Sequence, residues 1–109
     1  MGDYMEANFE GFTEEQKEEY KRSARLVHGA FDTVEPISGG FRLILDTSKN
    51  RITTNDIGSF VRLEQKACPF LTLSYIVSRE NPLIVHLDMV ESPQASGFLE
   101  AQLRSYGYI

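Results

Sequence analysis

The apolar residues of this chain change spacing along its length, and the order of those changes constrains the fold more than any other feature. Tyr20, Ala24, Val27 and Phe31 recur at helical spacing after Thr13, which forms a capping-box pattern with Gln16. Residues 33–37 and 41–46 read as strands around Ser38-Gly39-Gly40, a turn sequence. A second helix starts at Thr53 or Thr54, both suitable caps, with Ile57, Phe60, Val61 and Glu64 on one stripe. Pro69 ends it near Cys68, because the residue before a proline avoids helical geometry. Residues 70–78 and 83–90 alternate again, separated by Arg79-Glu80-Asn81-Pro82. Ser92 and Pro93 then open a third helix, with Ala95, Phe98, Leu99, Leu103 and Tyr106 as its apolar stripe and Gly107 at its end.

The expected order is α-ββ-α-ββ-α. Two hairpins joined by a helix predict an α+β fold, a four-stranded and mainly antiparallel sheet with helices on one face. Pro36 has no backbone N–H to give to a ladder, so its strand belongs at an edge or a bulge. Residues 1–12 show no period and read as a flexible or partly docked arm. Residues 13–109 read as a single domain.

Charge narrows the partners. There are 16 acidic and 11 basic residues, a formal net charge of −5. Nucleic-acid affinity needs clustered Lys and Arg, and here they are scattered. The densest group, Lys17, Lys21, Arg22 and Arg25, shares its helix with Glu14, Glu15, Glu18 and Glu19. That pattern reads as a solvated face with pairs such as Glu18–Arg22, so no nucleic-acid partner is expected. No apolar run is long enough for a membrane span, and the acidic start does not resemble a secretory signal. A cytoplasmic location is the expectation. One cysteine makes no internal disulfide.

Alternation also defines the sheet face that the helices leave open. It holds Arg42, Ile44, Ile76, Ile84, His86 and Asp88, with several hydroxyl residues between them. Apolar residues rimmed by polar ones mark an interface or a ligand groove. A homodimer is the most economical occupant, with a small-molecule or protein ligand as the other. His86 and Asp88 stand two apart on one strand face, the spacing of an acid–base pair for a substrate lying on the sheet. No Gly-rich phosphate loop, nucleophile triad or paired catalytic carboxylates can be read. Nothing calls for a cofactor.

The one local chemical site is Glu64 and Cys68, four apart on a helical face. A nucleophilic thiol needs nearby cations or a helix N-terminus. Cys68 has the opposite surroundings, a helix C-terminus and a carboxylate one turn back. A pair of this kind can chelate metal, with His28, His86 or Asp88 as a further ligand. The plainer reading makes Cys68 a small buried residue and Glu64 its hydrogen-bonding neighbour.

The segment Glu64-x-x-Ala67-Cys68-Pro69-Phe70 is similar to a motif in a family of small bacterial proteins, which carries Glu, two or three variable residues, then Cys-Cys-Pro-Phe. Gly39-Gly40-Phe41-Arg42 and the later Pro93, Phe98 and Leu99 also resemble that family, over roughly residues 20–104. Members stand beside or fused to regulators of the mercury-responsive type. The resemblance implies the same hairpin–helix order and, through those regulators, a heavy-metal role. Ala67 replaces the first cysteine of the motif, so Cys68 alone inherits it.

The leading expectation is a non-catalytic binding or dimerisation domain acting through the open sheet face. A thiol or metal sensor built on Glu64 and Cys68 is the alternative. An enzyme using His86 and Asp88 in a groove over the sheet is the third reading.

Overall fold

The structure, a computed structural model, describes residues 8–95 and 97–109. Part of the expected N-terminal arm, residues 1–7, lies outside the described residues. Residues 8–12 are docked. The Asn8 N–H donates to the Ala67 carbonyl at 2.8 Å, and Phe9 packs edge-on against Phe12 and Tyr20.

Helix α1 spans Glu14–Ala30. Its start is the capping box read from sequence: the Thr13 hydroxyl accepts from the Gln16 N–H, and the Gln16 side chain accepts from the Thr13 N–H. Strands β1, Phe31–Ile37, and β2, Gly40–Asp46, follow as a hairpin. Gly40 is there for space: a Cβ at that position would sit 1.9 Å from the Met89 carbonyl oxygen. Helix α2, Thr54–Ala67, is again closed by a capping box, Thr53 with Asp56. Cys68 is its C-cap, one residue before Pro69. Strands β3, Leu71–Val77, and β4, Ile84–Glu91, complete the sheet.

The sheet order is β1-β2-β4-β3, antiparallel throughout. The chain is therefore α+β in the expected order, with an open sheet. The β1 strand is an edge, as Pro36 requires, and its register shifts between Phe31 and Thr33, away from the proline. Leu43, Leu45, Val85, Leu87, Met89, Leu71 and Leu73 form the buried sheet face. Val27 and Ala30 of α1 and Ile57, Phe60 and Leu63 of α2 pack in the same core. Burial of these side chains is the main driving force for the layered fold.

The end of the chain differs from the sequence reading. Ser92 and Pro93 do not open a continuous helix. A short 3₁₀ turn spans Pro93–Ala95, and helix α3 covers Phe98–Ser105. The Glu91 carboxylate caps α3 instead, accepting from the Gly97 N–H at 2.9 Å and the Leu99 N–H at 3.0 Å. A carboxylate suits a helix N-terminus, where free N–H groups and the helix dipole favour negative charge. Leu99 and Leu103 are buried, but Tyr106 is 47% exposed and leaves the expected stripe. Gly107 does end the helix: its φ of 81° lets its own N–H reach Arg104 and the Tyr108 N–H reach Leu103.

On α1, Arg22 pairs with Glu19 at 2.7 Å and reaches Asp56 of α2 at 2.9 Å, rather than pairing with Glu18. The bridge to α2 is the longer-range gain that the helix pattern alone could not show.

Candidate functional site: the open sheet face and the buried carboxylate

The six open-face candidates lie together on the outer surface of β2, β4 and β3. Register places Ile44, His86 and Ile76 in one row across the three strands. The next row holds Arg42, Asp88 and Ser74. Ile84 stands opposite Asp46 at the end of the β2–β4 pairing.

Arg42 and Asp88 form a two-pronged ion pair, Nε to Oδ1 at 2.7 Å and Nη2 to Oδ2 at 3.0 Å. Glu35 of β1 approaches the same guanidinium at 3.7 Å. These bonds hold the Asp88 carboxyl below the usual carboxylate range and raise the Arg42 pKa further. Asp88 thus has Arg42 as its partner, and among the described residues no hydrogen bond joins it to His86. A base has to be within hydrogen-bond reach of the proton it takes, and here the carboxylate is committed elsewhere.

Exposure is uneven over this face. Ile44 and Ile84 are half-buried by their neighbours, whereas Ile76 is 65% exposed. The other exposed large apolar residues of the hairpin are Tyr75, Val77 and Leu83. Leu83 was expected on the inner face of the last strand, but that strand starts one residue later and Leu83 lies in the turn. Tyr75 and Val77 do belong to the inner face by parity. They are nevertheless exposed, Tyr75 with its hydroxyl beside Gly58 of α2. The uncovered apolar surface is thus concentrated at one end of β3.

Glu64 and Cys68 lie inside. Both are essentially fully buried, Glu64 at 2% exposure and Cys68 at 0%. The Cys68 Sγ stands 3.9 Å from Glu64 Oε2, and the Tyr20 hydroxyl donates to Oε1 at 2.6 Å. Burial raises the Glu64 pKa, with the two hydrogen bonds pulling the other way. Burial, then the Glu64 charge, pushes the Cys68 thiol up to about 12. The same two causes raise Tyr20. All three groups therefore favour the protonated state, the reverse of what a nucleophilic thiolate needs. Lys66 is not a counter-charge for the thiol: its Nζ reaches Gln16 at 3.1 Å and lies over the Phe12 ring. Among the described residues, no third His, Cys, Asp or Glu joins the pair in a group fit for a metal ion. His28, one of the ligands considered, has the Tyr108 hydroxyl on its Nδ1 instead.

Tyr20 is the partner that sequence reading missed. It had a place in the α1 stripe, but its link to Glu64 spans 44 positions. Above the pair lies a partly enclosed cavity of 130 Å³ between α1, α3 and the sheet. Tyr20, His28, Glu64, Gln102 and Tyr106 are among its walls. It is smaller than the roughly 300–1,000 Å³ of a typical ligand pocket and has room for a few waters or a small fragment.

No helix among the described residues is long and apolar enough to cross a membrane. Comparison with known protein families, curated proteins and solved structures finds no match.

Proposed function

We propose that this chain is a non-catalytic self-association domain, working through the sheet surface that its helices leave uncovered. The observation that carries the reading is the exposed apolar end of β3, with Ile76 on the open face at 65% exposure and Tyr75 and Val77 exposed on the other. Exposed apolar regions of this kind on soluble domains mark association surfaces. A second copy is the occupant that the charges favour. The chain carries a net −5, but Leu71–Val77 contains no charged residue. Beside it, the Arg42–Asp88 pair is neutral as a unit. Two copies can meet there without bringing like charges together, and a two-fold axis makes one patch serve both.

The test is oligomeric state. Light scattering on the unmodified protein should give a dimer at high concentration. Ile76→Lys should give a folded monomer with a thermal melt close to that of the parent at low concentration. An unmodified protein that stays monomeric at millimolar concentration would sink the reading.

A further inference from the structure

We infer that two copies join edge to edge through β3, in a register centred on Tyr75 that Gln65 keeps from sliding toward Leu71, giving one continuous eight-stranded sheet. This rests on the self-association reading and adds its geometry.

The argument starts from which backbone groups of β3 face outward. The Ser78 N–H donates to Ile84 O, and the Ser92 N–H donates to Phe70 O, each at 2.9 Å. Both bonds fall on the register that pairs Thr72 with Val90 and Ile76 with His86. In an antiparallel ladder, alternate residues turn their N–H and C=O to the same neighbour. The even-numbered residues of β3 therefore bond β4. Leu71, Leu73, Tyr75 and Val77 point theirs away from the sheet.

Gln65 of α2 occupies the first part of that edge. Its Oε1 accepts from the Leu73 N–H at 3.1 Å, and its Nε2 donates to the Leu71 carbonyl. The Leu71 N–H is bonded to the Cys68 carbonyl at 2.9 Å. Among the described residues, the groups without an intramolecular partner are the Leu73 C=O, both groups of Tyr75 and both groups of Val77.

A two-fold axis through Tyr75 uses this set almost completely. Tyr75 exchanges two bonds with Tyr75 of the second copy. Each Val77 N–H meets the Leu73 carbonyl of the other chain, which makes four bonds in all. Sliding the pairing toward Leu71 would require the groups that Gln65 holds. Sliding it one step toward Arg79, with the axis at Ile76, also makes four bonds but strands the Leu73 carbonyl inside the seam, where the Tyr75 register leaves only the Val77 carbonyl at the end of the strand. The side chains agree with the central register. Ile76 falls opposite Ser74 of the other copy on the open face, covering the most exposed apolar residue. On the helix side the two Tyr75 rings meet beside α2, where a Cβ at Gly58 would lie 3.0 Å from the Tyr75 hydroxyl.

The register makes an asymmetric prediction that a face-to-face dimer does not. Residues 74 and 76 of different copies are a non-hydrogen-bonded pair, with Cα atoms about 4.5 Å apart. That spacing accepts a disulfide, whereas 76 to 76 or 74 to 74 lies on the longer diagonal, roughly 7–8 Å. Ser74→Cys and Ile76→Cys proteins, each oxidised alone, should give little covalent dimer. Mixed in equal amounts, they should give a strong interchain disulfide. Unmodified protein, with only the buried Cys68, is the control. In parallel, amide exchange at Tyr75 and Val77 of the unmodified protein should slow as concentration rises, with Thr72 unchanged. If the unmodified protein is monomeric, self-association and its geometry both fall. If it is dimeric but the mixture does not cross-link, or Ile76→Cys cross-links alone, the edge geometry falls and self-association stands.

Discussion

The two edges of the sheet solve the same problem in different ways. Each is a seven-residue strand with backbone groups facing away from the sheet. The β1 edge protects itself with its own residues. It carries Asp32, Glu35 and Pro36, it is bulged near Phe31, and Lys49 reaches over to Asp32 at 2.8 Å. Charge, proline and bulges are the usual means of keeping an edge from pairing. The β3 edge has none of these in its sequence. Among the described residues it is covered by a side chain from elsewhere, Gln65, and only over Leu71 and Leu73. Protection written into a strand blocks all of it. Protection lent by one side chain stops at its reach, and leaves a short, defined segment available.

The largest effect that sharpens this contrast is in the core. Leu71 is 1% exposed in the covered half of β3, whereas Val34 in β1 is half-buried. Leu71→Ala should cost about 2–5 kcal/mol in urea unfolding. Val34→Ala should cost only about 1 kcal/mol. Equal costs would mean that β3 is no more firmly anchored than β1.

Next comes the borrowed cap. Gln65→Ala leaves the Leu71 carbonyl and the Leu73 N–H without their partner. A loss of about 1–3 kcal/mol is expected, the range for stranding half-buried polar groups. The same variant should also associate in more than one register, seen as a broadened distribution in sedimentation. Unchanged stability and a single species would show that Gln65 neither caps nor selects.

Beneath the cap, the buried Glu64 sets a pH dependence of its own. Its pKa is raised above the ordinary 4.5 by burial. The native state then holds a proton that the unfolded chain has released, so stability is fully present below about pH 4.5 and falls as pH rises through the raised value. Glu64→Gln should flatten that decline. Asp56 and Asp88, whose pKa values are lowered from 3.8, act oppositely: their contribution is present above 3.8 and is lost as pH falls below it. Denaturant melts from pH 3 to pH 8 would separate the two slopes. A parent protein whose stability keeps rising from pH 5 to pH 8 would contradict the buried-acid account.

The smallest effect on stability is at the other edge. Pro36→Thr restores an N–H in an exposed strand and should change stability by less than about 0.5 kcal/mol. It should not create a new dimer, because Asp32, Glu35 and the bulge remain. A new association through β1 would show that proline alone was guarding that edge.

Much of this was open to sequence reading, and the limits have a physical pattern. Thr13 with Gln16, Pro36 at an edge and Pro69 after α2 act through neighbours a few positions away, so the sequence displays both partners together. The period-two faces likewise brought Arg42, Ile44, Ile76, Ile84, His86 and Asp88 onto one surface. The helix stripe foretold that Glu64 would turn inward. It did not supply Tyr20, which meets Glu64 only once α1 and α2 pack. The cap of α3 was misread for the same reason. Ser92 and Pro93 have the right local chemistry, but the Glu91 carboxylate reaches the helix from the end of β4 and takes the position. Equal weight for the three outer isoleucines was a further limit, since burial by cross-strand neighbours depends on strand order.

What the sequence by itself determined is the set of elements, their order and the side of the sheet that each residue faces, because these depend on backbone periodicity and local hydrogen bonds. Tertiary structure alone decided that β4 lies between β2 and β3, that Asp88 belongs to Arg42 rather than to His86, and that the last part of β3 is left open. Those outcomes come from the reach of whole elements. The Gln65 side chain of α2 reaches only Leu71 and Leu73, and no local signal in Tyr75, Ile76 or Val77 records how far a side chain from a neighbouring helix extends.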